Sequence, residues 1–355
     1  MSPALPSVPA RNNFDLIRLL AAFQVVQSHA TEHLGLLSMP FFAFTRQLLS
    51  YFPGVPIFFF ISGYLLTESY QRNPSLRVYF VNRALRVFPA LYAAFGVTLA
   101  LVFWMGAAGQ PQFSLEGLAL WSLAQLTFLQ FYNPPFLRAF GVGTVNGSLW
   151  TIPVELQFYL LLPLLVRRPR WLLMALYLVS LGLQLHVMLH PVGVSELLRC
   201  TFLPHIHMFL AGLAARHLAP LWLPRVGRPL SWLAAYLVLT QLTRLAVGEN
   251  HLLMLISTRL LLPAVILAVA YWPRLDAEKL LGRNDISYGV YIYHMLVVNT
   301  LIVLGLTGRW YWLALVFVVT TALGWLSWRL VERPFLRLKR WSNRQSPVGR
   351  VRLEN

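Results

Sequence analysis

Eleven apolar runs set the limits on how this chain can fold. They cover roughly residues 13–31, 54–71, 84–106, 115–131, 148–166, 171–190, 200–218, 229–247, 254–272, 286–305 and 311–331. A helix of about 20 apolar residues crosses the ~30 Å hydrocarbon core of a bilayer. Runs repeated at that length imply an all-α polytopic membrane protein. Charged residues make up 12% of the chain, against about 25% in soluble domains, which excludes an ordinary soluble fold. The run 115–131 is broken by Glu116, Trp121, Ser122, Gln125, Thr127 and Gln130 and reads as a re-entrant or interfacial helix.

Charge placement sets the topology. With 115–131 outside the count and the N-terminus in the cytoplasm, the inner segments hold 23 of the 29 Lys and Arg residues. The outer segments hold only Arg46, Arg138, Arg199, Arg244 and Arg309, and Arg259 is intramembrane. If 115–131 crossed, every later loop would change sides and the asymmetry would collapse. The positive-inside rule therefore selects about ten transmembrane helices with both termini cytoplasmic. It also accounts for the net charge of +17 without nucleic acid. Residues 1–341 read as a single membrane domain, since no loop is long enough for a soluble one, and 342–355 as a basic, disordered cytoplasmic tail. Cys200 is the only cysteine, so no intrachain disulfide or multi-cysteine metal site is possible. The N-terminus lacks the charged region and cleavable apolar core of a signal peptide.

The first run carries an arginine and a histidine eleven residues apart, Arg18 and His29. Eleven steps of ~100° return to one helix face, ~16 Å further along the axis. Both groups are costly inside a bilayer, so a face that keeps them is a functional candidate. Arg83 and Arg86 begin the third span on one face. With Arg18 they could grip phosphates through forked hydrogen bonds, although plain positive-inside anchoring explains Arg83 and Arg86 equally well. Asp15, one turn before Arg18, can pair with it.

Glu155 enters from the outer side, ~10 Å below that surface, which places it at a depth similar to His29. A histidine with a carboxylate is the arrangement of a general base held in one tautomer. His294 is also mid-membrane and could line the same site or serve as a hydrogen-bonded structural residue. His29-Ala-Thr-Glu32-His33 fits the H-x-x-E-H zinc pattern, which His186 and His190 could extend. No convincing third ligand appears, and Glu32 and His33 are expected to line the outward mouth. Arg259 could snorkel outward or pair with a carboxylate. His205 and His207 lie near the outer end of their span. Asn146-Gly-Ser148 fits a glycosylation sequon but runs into the next span, so it reads as a helix start with Ser148 near the cap.

Taken together, these pieces resemble the integral-membrane acyltransferase family 3, which includes bacterial O-acetyltransferases of surface polysaccharides. The matching residues are Phe14-Asp15-x2-Arg18-x10-His29, Pro56-Ile-Phe-Phe-Phe-Ile-Ser62-Gly63, Arg83-x2-Arg86, Ser148-Leu-Trp150-x4-Glu155-x2-Phe158-Tyr159, Ser287-Tyr-Gly-x-Tyr-x-Tyr-His294 and Glu332-Arg-Pro334. The resemblance spans about residues 13–336. It implies a multi-pass protein of the bacterial cytoplasmic (inner) membrane. Acyl-CoA, commonly acetyl-CoA, would bind from the cytoplasm, and the acyl group would reach a glycan or glycolipid hydroxyl on the outer face.

It further implies essential roles for Arg18 and His29, with Arg83 and Arg86 as a second arginine motif. The expected site has His29 and Glu155 as catalytic residues and Arg18, Arg83 and Arg86 on the donor. Glu32, His33, Ser148, Trp150 and His294 would face the acceptor. No metal or tightly bound cofactor is expected. Two other classes compete: a transporter or flippase of a polar lipid-linked substrate, and a zinc-dependent intramembrane enzyme at His29, Glu32 and His33.

Overall fold

The computed structural model describes residues 11–248, 251–282 and 284–339, and the expected tail 342–355 lies outside them. All regular structure among the described residues is helical. In chain order the helices are α1 (Phe14–His33), α2 (Pro40–Ser50), α3 (Gly54–Arg72), α4 (Leu76–Trp104), α5 (Leu115–Leu126), α6 (Thr151–Leu165), α7 (Arg170–Leu189) and α8 (Val194–Arg199). They continue as α9 (Ile206–His217), α10 (Ala219–Trp222), α11 (Pro229–Val247), α12 (Leu252–Ala270), α13 (Ala277–Leu281), α14 (Ser287–Val303), α15 (Trp310–Ser327) and α16 (Arg333–Arg337).

Among the described residues, seven helical stretches are long and apolar enough to cross a membrane. The pair α9 and α10, bent by 76° at its break, would make an eighth as one span. Two expected spans fall outside that count for physical reasons. Helix α14 has 17 residues, and α1 is thinned by Asp15, Arg18, Gln24, Gln27 and His29. The run 115–131 contains only the 12-residue α5, ~18 Å long and too short to cross. Ser114 caps its start by accepting from the Gly117 N–H at 3.0 Å. Past its end, Gln125 and Gln130 each donate to the other's carbonyl, at 3.2 and 3.3 Å.

The helices group into two compact units. One takes the chain up to Ala21, Tyr51–Pro74 and Val154–Arg283; the other takes Ala22–Ser50, Ser75–Pro153 and the chain from Asn284. In the first unit α3 packs on α9 at backbone contact. A Cβ added to Gly63 would lie 2.1 Å from the Phe209 carbonyl oxygen, and one added to Gly212 would lie 2.1 Å from that of Phe60. Small residues permit such approaches between membrane helices. The start of α1 is latched by Asn13, whose N–H donates to the Ala270 carbonyl at 2.8 Å. Its side-chain amide donates to the Val269 carbonyl at 3.1 Å and accepts from the Ala277 N–H at 3.0 Å. These bonds satisfy carbonyls at the end of α12 and set the helix that carries Arg18.

In the second unit α14 and α15 meet through Gly289 and Gly324, where a Cβ on Gly289 would fall 2.7 Å from the Gly324 Cα. Asn299 on α14 gathers the loop before α6. Its Oδ1 accepts from the Val142 N–H at 2.9 Å, and its Nδ2 donates to the Thr144 and Val145 carbonyls, each at 2.9 Å. Asn146 then donates to the Ile292 carbonyl at 2.8 Å. These bonds lay residues 142–151 along α14, beside His294.

Candidate active site

Within the second unit, Nδ1 of His29 on α1 lies 2.9 Å from Nε2 of His294 on α14, and the rings are nearly parallel. His294 is fully buried, and its Nδ1 is 2.6 Å from the Tyr291 carbonyl oxygen. A carbonyl only accepts, so His294 Nδ1 carries the proton. A doubly protonated His294 would place an unpaired charge in a dry membrane interior, which is strongly unfavourable. Its Nε2 is therefore a lone pair and accepts from His29 Nδ1–H. Neutral His29 then carries its own lone pair on Nε2, in a half-buried ring. That is the protonation state a general base requires.

The residue whose carbonyl anchors this relay is itself held. The Tyr291 hydroxyl bonds to Thr151 Oγ1 at 2.8 Å and to the Ser148 carbonyl at 3.0 Å. Ser148, fully buried, donates to Asn146 Oδ1 at 2.8 Å. It sits in the 3₁₀ turn Gly147–Trp150 that precedes α6. As expected, Ser148 lies at a helix start, two residues past the cap position held by Asn146, and its hydroxyl goes to Asn146. Asn146 is buried and donates to Ile292, which removes it as a glycosylation acceptor. Trp150 closes the same turn, half-buried.

His33 lies one turn beyond His29, with ring centroids 5.9 Å apart. The carboxylate of Glu32 is paired with Arg46 on α2 at 2.7 Å. Among the described residues no group of three or more His, Cys, Asp or Glu side chains is placed to hold a metal ion. The zinc arrangement at His29, Glu32 and His33 is thus not assembled: Glu32 faces an arginine, and His29 gives its Nδ1 to His294.

The arginines differ in their partners. Arg86 on α4 forms ion pairs with Asp285 and, at 3.6 Å, with Glu332. Asp285 also accepts from the N–H and hydroxyl of Ser287 at the start of α14. Glu332, 1% exposed, lies in a π-helical turn, Trp328–Glu332, that joins α15 to α16. A π turn carries an extra residue per turn and re-aims its side chains, here turning a carboxylate inward to an arginine. In the first unit Arg18 pairs with Asp15 at 3.6 Å, as its spacing suggests, and Glu155 on α6 accepts from Ser62 at 3.4 Å and from Tyr159. Sequence reasoning missed Tyr291, Thr151 and Asp285. In a chain with only 12 acidic residues, an aspartate just before Ser287-Tyr-Gly was the available signal.

A family model described as an acyltransferase domain, acyltransferase 3, matches residues 11–329. The chain belongs to the acyltransferase 3 family. It is similar to nodulation protein 10 of Rhizobium leguminosarum bv. viciae, with 36% identity over 352 residues covering 93% of this chain and 94% of that protein. It is also similar to the O-acetyl transferase of Shigella phage Sf6, with 28% identity over 353 residues covering 92% and 96%. A 122-residue stretch is 31% identical to the peptidoglycan O-acetyltransferase OatA of Listeria monocytogenes, covering 32% of this chain and 19% of that protein. No solved structure matches the chain. The family and the apolar helices make it a multi-pass membrane O-acyltransferase, which displaces the transporter alternative.

Proposed function

We propose that this acyltransferase moves an acetyl group from cytoplasmic acetyl-CoA to a hydroxyl of a glycan or glycolipid on the outer face of a bacterial inner membrane. The ten-span topology with cytoplasmic termini, favoured by the arginine distribution, belongs to the same reading. The observation that carries the chemistry is the one-way relay from His29 to His294 to the Tyr291 carbonyl.

In this mechanism Nε2 of His29 takes the proton of the acceptor hydroxyl as its oxygen attacks the thioester carbonyl. The C–O bond forms, the C–S bond breaks, and the leaving thiolate takes the proton back from His29. The imidazolium formed between these steps keeps its Nδ1–H on His294, so the ring does not turn. His294 is a positioning residue in the place that a carboxylate occupies in Ser-His-Asp enzymes.

Arg18 and Arg83 are assigned to the phosphates of CoA. Arg86, already opposite two carboxylates, fixes the start of α14. Glu155 is assigned a second carboxylate role, and Glu32, His33, Ser148 and Trp150 the acceptor side. The test is acetyl-labelled acetyl-CoA supplied to the purified protein in proteoliposomes with glycan acceptors. CoA release and label on glycan that both vanish in folded His29→Ala support the reading. Full turnover in that variant would falsify it.

A further inference from the structure

The first unit holds a half-buried cation that the acyl-transfer reading does not use. Arg259 lies on α12, seven residues from the helix start and therefore ~10 Å into the span. Among the described residues it forms no ion pair, and its enclosed Nε has no hydrogen-bond partner. The residue is half-buried, so the rest of the guanidinium stays reachable. It interacts electrostatically with Tyr177 on α7, with His205 and His207 at the start of α9, and with Tyr236 on α11. The pairs α7–α9, α11–α12, α7–α12 and α9–α12 all pack together.

Two of these neighbours also present unpartnered polar atoms, the Tyr177 hydroxyl and Nε2 of His207. His207 is 2% exposed. Ser180 Oγ accepts from the His207 N–H at 3.1 Å and lies 3.0 Å from His207 Nδ1. The Ser180 hydroxyl is itself buried. The cluster presents a guanidinium, a phenol O–H and an imidazole nitrogen, with no carboxylate among its members. Among the described acids of this unit, Asp15 is paired with Arg18, Glu68 with Arg72, Glu155 with Ser62 and Tyr159, and Asp276 with Arg11.

An intramembrane arginine without a counter-ion is costly, and such residues usually mark a substrate or ion path. We propose that Arg259, His207 and Tyr177 bind the phosphate group of a membrane-embedded amphiphile. A forked guanidinium with a phenol O–H and an imidazole able to take a proton suits the several oxygens of a phosphate. The location on apolar spans favours an anion delivered on a lipid chain, since a free anion would have to shed its water to reach this depth. The proposal does not rest on the chemistry assigned to His29, because binding is read without turnover.

The test is thermal stabilisation of the delipidated protein in detergent by undecaprenyl phosphate, dioleoyl phosphatidate, dioleoylglycerol and inorganic phosphate. The native protein should be stabilised by one or both lipid phosphates and not by dioleoylglycerol. Stabilisation by undecaprenyl phosphate alone identifies a lipid carrier as the source, and stabilisation by phosphatidate alone identifies a bilayer phospholipid. Equal stabilisation by inorganic phosphate overturns the lipid assignment. Arg259→Leu should melt no lower than the native protein without ligand, because it removes an uncompensated charge, and should bind lipid phosphate at least about tenfold more weakly. Native-like binding by Arg259→Leu overturns the proposal. Tyr177→Phe, which removes one donor and no charge, should weaken binding by a smaller factor and covers the case in which Arg259→Leu does not fold.

Discussion

His294 accepts a hydrogen bond from His29 and gives none back, because its single proton is committed to the Tyr291 carbonyl. Removing that acceptor should leave His29 present but unoriented. His294→Ala is expected to lower kcat by about 10²-fold or more with KM for acetyl-CoA little changed. His294→Gln, whose amide oxygen can still accept, should recover part of the rate. A CoA-release assay on both variants reads this, and equal kcat for His294→Ala and the native protein would sink the relay.

The buried ion cluster of Arg86, Asp285 and Glu332 predicts a stability effect. Arg86→Ala leaves two carboxylates without their cation, and breaking a buried pair from one side costs about 3–5 kcal/mol. The variant should lose folded protein in detergent. Arg86→Ala combined with Glu332→Gln should recover part of that loss. Arg83→Ala should instead stay folded and raise KM for acetyl-CoA. Size-exclusion profiles separate the outcomes, and a stable Arg86→Ala with only a raised KM would return Arg86 to the phosphates.

Much of this arrangement was legible in the sequence because the bilayer makes polar residues conspicuous. Arg18, His29 and His294 stand out in apolar runs, and their cost signals use. The helical runs were equally plain, since about 20 apolar residues allow little else. The pairing of His29 with His294 was not legible. Both are helical residues 265 positions apart, and apolar periodicity does not tell a lipid-facing side from a buried one. The helix start at Ser148 was legible, but the partner of its hydroxyl was not, for a related reason. That partner is Asn146, and Asn146 is in turn held by α14.

Glu155 shares its carboxylate with Ser62 and Tyr159, so charge and hydrogen bonding can be tested separately. Glu155→Gln keeps an acceptor for both hydroxyls and removes the charge. If the charge acts in transfer, kcat should fall at least about tenfold, the scale of a hydrogen bond to a charged group, with the melting temperature held. Tyr159→Phe should have a smaller effect. Steady-state kinetics on both variants decide the matter, and a Glu155→Gln enzyme with native kcat removes Glu155 from the chemistry.

The contact of Gly289 with Gly324 controls where His294 sits, since Gly289 lies five residues before it on α14. A Cβ on Gly289 would meet the Gly324 Cα at 2.7 Å and its carbonyl oxygen at 2.9 Å, and a Cβ on Gly324 would meet the Val290 backbone nitrogen at 2.8 Å. These neighbours are backbone, so only movement of a whole helix relieves the overlap. Gly289→Ala should therefore displace α14 and cost activity beyond any loss of folded protein, because the His29–His294 bond depends on the position of that helix. Gly289→Leu should abolish folding. Gly182→Ala, where an added Cβ meets nothing within 4 Å, serves as the control and should leave both activity and melting temperature as they are. Native-like activity per folded molecule in Gly289→Ala would show that the relay tolerates a shift of α14 and would weaken the role given to its exact geometry.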